Sequence, residues 1–163
     1  MVSVMKEAVS PVRPIHQHLI DGIDRRILSE LSADGRMSLA ELGRRVSLSP
    51  PAVAERVGRL ERSGVITGYH AAIDPRALGY QLTAIVRVKP AARQLPRIPE
   101  LAGEIPEISE CLRITGEDCF FLKVHLRSIE ELSPLLDRFL RYGSTTTSIV
   151  NGAPIPGRQP PVT

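Results

Sequence analysis

At Asp74-Pro75 the hydrophobic period of this chain changes, and the change divides it into two units that fold by different rules. Before that point apolar residues recur at the three-to-four spacing of a helix face; after it they alternate over runs of strand length. The chain is therefore α+β, and its 163 residues leave room for two small domains.

In the first unit a helix is predicted from near Asp21. Asp21 and Asp24 form a capping pair, and Ile23, Ile27, Leu28 and Leu31 give its apolar stripe. Ala33-Asp34-Gly35 stops it. Ser38-Leu39-Ala40-Glu41 reads as a capping box in which Glu41 reaches back, opening a short second helix with Leu39, Leu42 and Val46 inward. Ser47-Leu48-Ser49 makes a tight turn. Ser49 caps a third helix with Pro50 at its first position, where the missing N–H costs nothing, and Pro51 still lies in the first turn. Val53, Val57 and Leu60 form its buried stripe, and Gly64 is a left-handed stop. Three short helices with a tight turn between the last two are the helix-turn-helix pattern. Val65 to Ile73 alternates loosely and reads as a wing or connecting strand. Residues 19–68 are thus assigned as a winged helix-turn-helix and 69–80 as a linker strand or hinge.

In the second unit Gln81 to Lys89 alternates, with Leu82, Ala84, Val86 and Val88 on one face. A helix near Pro96 to Glu104 follows, kept short by Pro96 and Pro99. Ile108, Leu112 and Ile114 mark a second strand, Gly116-Glu117-Asp118 a turn, and Phe120, Leu122, Val124 and Leu126 a third strand. Ser128 to Glu131 reads as another capping box, opening a helix with Ile129, Leu132, Leu135, Leu136 and Phe139 inward. Gly143 ends that helix, and Thr145 to Val150 is a fourth strand. The order βαββαβ over 81–152 is the split ferredoxin-like plan. Ile85 and Phe121 lie opposite the main stripes, so one sheet face needs helices over it and the other a partner. A homodimer, and a higher even oligomer, is expected. Residues 1–18 and 153–163 are read as tails.

Charge alone does not name a partner. The net charge is +3, and between Leu19 and Pro75 eight arginines are balanced by eight acids. Only Arg36 to Arg62 is biased, six arginines against Glu41, Glu55 and Glu61. Geometry makes the stronger case, because the third helix of such a motif enters the major groove of double-stranded DNA. Its leading residues Ser49, Pro50, Pro51 and Ala52 suit thymine methyls. Arg56 is the candidate for base or phosphate contact, Arg59 and Arg62 for phosphates, and Arg44 and Arg45 for backbone or the helix dipole. No apolar run approaches the roughly 20 residues needed to span a bilayer. Cys111 and Cys119 are too few for a disulfide scaffold and fit a reducing, cytoplasmic setting. His16 and His18 lack further ligands, so no metal is expected. His125 lacks an evident acid or base partner, so no catalytic role or cofactor is assigned.

Several segments together resemble the Lrp/AsnC, or leucine-responsive feast/famine, family of transcriptional regulators. They are Ile23 to Leu28, Leu48-Ser49-Pro50, Glu55-Arg56-Val57 through Leu60-Glu61, Ser63 to Tyr69, Leu78-Gly79-Tyr80 and Thr115 to Asp118. The resemblance implies a RAM/ACT-like carboxy-terminal domain that pairs through its sheets, dimers that build rings such as octamers, and an amino-acid effector bound between dimers. Its site corresponds to Gly116, Glu117, Asp118 and Cys119 and to the segment holding Thr145, Thr146 and Thr147. Many members carry an acid where this chain has Cys119, to hold the effector's amino group. Here Glu117 or Asp118 substitutes, or the ligand is something else. Siroheme decarboxylases resemble the same two-domain plan, and for that reading His70 is the only histidine near the domain junction. The remaining alternative is an effector-binding oligomeric protein without DNA binding.

Overall fold

The computed structural model describes residues 20–162, so the predicted tail over 1–18, with His16 and His18, lies outside the described residues. The chain forms two compact units, one running to Ala72 and including Gly157 onward, the other Ile73–Pro156.

The first unit holds α1 (Gly22–Ala33), α2 (Leu39–Val46) and α3 (Pro50–Arg62). Their apolar stripes meet in one core of Ile27, Leu42, Val46, Val53, Val57 and Leu60. The capping box of α1 is complete, with Asp21 and Asp24 each accepting the other's backbone N–H. The predicted box of α2 is only half formed. Ser38 accepts the Glu41 N–H, but the Glu41 carboxylate turns to Arg44 and Arg45 on its own helix instead of reaching back. Two cations within one helical turn outbid a single neutral N–H. Leu39, expected inward, is 43% exposed, because as the first residue of α2 it precedes the turn that meets the core. Ser49 occupies the N-cap of α3 without a side-chain bond to it; Pro50 and Pro51 have removed the first donors it would cap.

Gly64 takes the expected left-handed conformation, and the N–H groups of Val65 and Ile66 both donate to the Leu60 carbonyl. This folds both residues back against the helical core, so Val65–Ile73 forms no strand and the predicted wing is absent among the described residues. A short 3-10 turn, Pro75–Leu78, opens the second unit.

That unit runs β1 (Leu82–Pro90), α4 (Arg97–Gly103), β2 (Ile108–Arg113), β3 (Phe120–Leu126), α5 (Leu132–Leu140) and β4 (Gly143–Ile149). The four strands form one antiparallel sheet in the order β2-β3-β1-β4, as a ferredoxin-like plan requires. Ala84, Val86, Val88, Phe120, Leu122, Val124 and Leu126 are buried on one sheet face; with Ile98, Ala102, Leu135 and Phe139 of the helices they form the core. Three expectations fail locally. A register shift between Ile108 and Glu110 moves Leu112 off the core face: it pairs with Phe121 and is 45% exposed, while Ile108 and Cys111 keep the core side. Ser128 makes no cap bond with the backbone. Glu131 accepts the Arg127 N–H, and Ile129 lies exposed in a 3-10 turn before α5. Gly143 does not end α5; it is the first residue of β4.

Gly143 is demanded by proximity. A Cβ there would stand 2.2 Å from the Lys89 carbonyl oxygen and 2.7 Å from Pro90 Cα. Gly143→Ala should lower stability by roughly 1–3 kcal/mol through the forced backbone shift. Gly103→Ala, where a Cβ meets nothing within 4 Å, should not. Urea midpoints of the two variants check the contrast.

Candidate nucleic-acid interface and effector site

On α3 the buried stripe Val53, Val57 and Leu60 fixes which side chains remain free. At about 100° per residue, the ridge opposite it is Pro51, Glu55, Gly58 and Arg62. The structure separates the three arginines expected to act together. Arg62 stands on the outer ridge, whereas Arg56 and Arg59 lie on the flank facing α1. Arg56 Nη1 donates to Asp21 Oδ2 at 2.6 Å and Asp24 Oδ1 at 2.8 Å; Arg59 Nη2 donates to both Asp24 oxygens at 2.8 and 3.0 Å. Asp24 is the only charged residue buried among the described residues. A buried carboxylate is tolerable only when paired, and here two guanidinium groups and a backbone N–H satisfy it. The hydrogen bond from Arg56 holds the Asp21 carboxyl below the usual carboxylate range.

Gly58 interrupts the run of side chains in mid-helix, and the Arg62 side chain occupies the space beside it. A Cβ there would come 3.0 Å from the Arg62 guanidinium, which lies along the bare backbone. Ser49, Pro50 and Pro51 are exposed at the start of the helix and Ala52 is half-buried. On α2, Arg45 bonds Glu41 at 2.9 Å and Glu30 at 2.8 Å, while Arg44 pairs with Glu41 and keeps 78% of its side chain exposed. Glu55, one of the three acids set against the six arginines of this stretch, is exposed on the outer ridge with no ion pair among the described residues.

In the second unit the turn Gly116–Cys119 sits between β2 and β3, with Gly116 at φ +116°, a conformation glycine adopts freely. The Cys119 N–H donates to the Val88 carbonyl, which anchors the turn to β1. Asp118 pairs with Arg87 at 3.3 Å. Arg87 lies on the open sheet face between Phe121 and Thr146. Strand alternation divides the threonine run. Thr146 shares that open face, but Thr145 and Thr147 register with Val88 and Val86 on the helix-covered side, where Thr147 Oγ1 is buried without a hydrogen-bond partner. Cys119 is half-buried against the core, and Glu117 is exposed. Arg87 is the residue that sequence reading missed; a cation inside the apolar run Ile85-Val86-Arg87-Val88 was its signal.

His125 lies on the same open face, between Thr83 Oγ1 at 3.1 Å and Ser109 Oγ at 3.0 Å. Partial burial, with Lys123 nearby, lowers its pKa below the ordinary 6.5. No helix among the described residues is long and apolar enough to cross a membrane.

Comparison with known proteins agrees with both halves of this geometry. An AsnC-type helix-turn-helix domain matches residues 20–61, and an Lrp/AsnC ligand binding domain matches residues 83–160. The chain belongs to the Lrp/AsnC family. It is 35% identical over 131 residues to the transcriptional regulator LrpC of Bacillus subtilis, covering 80% of this chain and 91% of that one. It is 42% identical over 120 residues to LrpA of Mycobacterium tuberculosis, covering 73% and 80%. A feast or famine regulatory protein from M. tuberculosis, solved in complex with L-methionine, superposes with a TM-score of 0.79 at 36% identity, over 87% of this chain and 99% of that one. These Lrp/AsnC relatives are named as regulators of transcription, not as enzymes.

Two outcomes follow for this Lrp/AsnC chain. Asp24→Ala should cost about 2–4 kcal/mol, since both guanidinium groups lose their shared acceptor. Arg56→Ala should cost less, because Arg59 still faces the carboxylate. Thermal unfolding ranks them. For His125, burial disfavours the imidazolium, so its stabilising contribution is complete above pH 6.5 and declines as pH falls through the lower folded value. An NMR titration of the ring should give a midpoint below 6.5.

Proposed function

We propose that this protein is a cytoplasmic, sequence-specific DNA-binding transcriptional regulator whose activity responds to an amino acid or a related small metabolite, and which works as a homodimer or a higher even oligomer such as an octamer. The observation that carries the reading is the free outer ridge of α3, within a three-helix unit matched over residues 20–61 by an AsnC-type helix-turn-helix domain. A ridge with no packing duty is what a helix needs to enter a major groove. Ser49, Pro50, Pro51 and Ala52 lead it toward base edges and thymine methyls, and Arg62, Arg44 and Arg45 reach phosphates. Arg56 and Arg59 position α3 from their seat on Asp24.

For the effector, Arg87 and Asp118 offer a ready pair of opposite charges on the open sheet face. A zwitterion entering there meets a guanidinium for its carboxylate and the Asp118 or Glu117 carboxylate for its ammonium, with Gly116 and Thr146 beside them. The half-buried Cys119 packs against the core beside this turn. The M. tuberculosis relative solved with L-methionine supports this class of ligand. Ile85, Phe121 and Leu112 give the same face the apolar content of a pairing surface.

A gel shift with the DNA upstream of the protein's own reading frame should show binding that Arg62→Ala and Arg44→Ala weaken for all sequences alike, each reducing the salt slope by about one. Failure of the unaltered protein to shift any duplex at low salt would sink the regulator reading. Calorimetric titration with L-methionine and the other amino acids should show binding that Arg87→Ala reduces at least about tenfold. Light scattering at micromolar concentration should give an even multiple of the chain mass; a monomer would overturn the assembly.

A further inference from the structure

We infer that Glu55 is the base-reading residue of the recognition helix and that it selects a cytosine at one position of each operator half-site. The inference rests on the DNA-binding reading above and goes beyond it, because it names a base.

The outer ridge of α3 leaves few candidates. Pro51 carries no hydrogen-bonding side chain, Gly58 carries none at all, and the Arg62 guanidinium is laid back along Gly58 near the carboxy-terminal end of the helix. Arg56 and Arg59 are engaged by Asp24. Glu55 alone presents a long, charged and unengaged side chain on the ridge in the half of the helix nearest its amino terminus. Among the described residues it has no ion pair, although three arginines, Arg56, Arg59 and Arg62, stand on the same helix within seven positions of it. It holds nothing together in the fold.

An unpaired carboxylate on the surface that meets a polyanion weakens binding to every sequence unless a donor receives it. In the major groove the bases differ sharply in what they offer. Guanine presents two acceptors and thymine an acceptor with a methyl, so both repel or ignore a carboxylate. Adenine places its N6 donor beside the N7 acceptor, which opposes the second carboxylate oxygen. Cytosine presents the N4 donor without an adjoining acceptor on its own edge, and it is the base that acidic side chains accept from. Glu55 therefore raises specificity in two ways, by penalising duplexes that lack the donor and by bonding the one that has it.

The test is selection of binding sites from a random duplex pool with the full chain and with Glu55→Gln and Glu55→Ala. The unaltered protein should fix a C·G pair at one position per half-site, with a preference of roughly 10- to 100-fold over the other pairs. Glu55→Gln should move that position toward adenine, which glutamine bonds through N6 and N7. Glu55→Ala should leave that one position degenerate, keep the rest of the site, and bind non-cognate duplex more tightly because a negative charge has gone. Thermal midpoints close to that of the unaltered protein are expected for both, since Glu55 is exposed and unpaired. An unchanged site in both variants overturns the assignment while leaving the regulator reading intact. No enriched sequence for the unaltered protein overturns the regulator reading and this inference with it.

Discussion

The buried Asp24 carboxylate decides how the amino-terminal unit is built. It completes the capping box of α1, receives both Arg56 and Arg59, and thereby pins the recognition helix to the first helix along one flank. Hydrophobic contact among Ile27, Val53 and Val57 is non-directional and tolerates sliding. Charge-assisted bonds of fixed geometry do not, so the rotation of α3 about its own axis is set by electrostatics as much as by packing. That rotation determines which side chains form the outer ridge. The same interaction accounts for how an arginine-rich helix can present a ridge with so few arginines on it.

The carboxy-terminal unit divides its labour by sheet face. One face is covered by α4 and α5 and holds the apolar core. The other combines apolar residues, Ile85, Phe121 and Leu112, with a polar set of Arg87, Lys123, His125 and Thr146. Such a face suits a partner and a polar ligand better than it suits water alone. An effector bound at Arg87 and Asp118 would sit on the surface proposed for pairing, which gives a physical route from ligand to assembly.

Most of the fold was legible because the periods were clean. Ala84, Val86 and Val88, and Phe120, Leu122, Val124 and Leu126, fall on the core face as their alternation requires, and the Asp21–Asp24 capping pair forms as spacing suggests. Illegible were features that depend on partners distant in sequence. Nothing local to Arg56 indicates that a carboxylate 32 residues away will claim it. The capping boxes at Ser38 and Ser128 had the right letters, but nearby arginines and a neighbouring backbone N–H competed for their glutamates. The threonine run looked like one site and was split by the pleat into two faces. Arg87 and Glu55 escaped notice because a charge on a strand or helix reads as solvated until the surrounding surface is known.

The irregularity in β2 reaches beyond the placement of Leu112. β2 lies at one end of the sheet order, so its outer side offers unpaired backbone groups to any passing strand. The register break between Ile108 and Glu110 interrupts that row of donors and acceptors, and Glu110 and Arg113 add charge along it. An incoming strand could not continue a regular ladder there. That edge is thus guarded against indiscriminate strand addition and fibre-like extension.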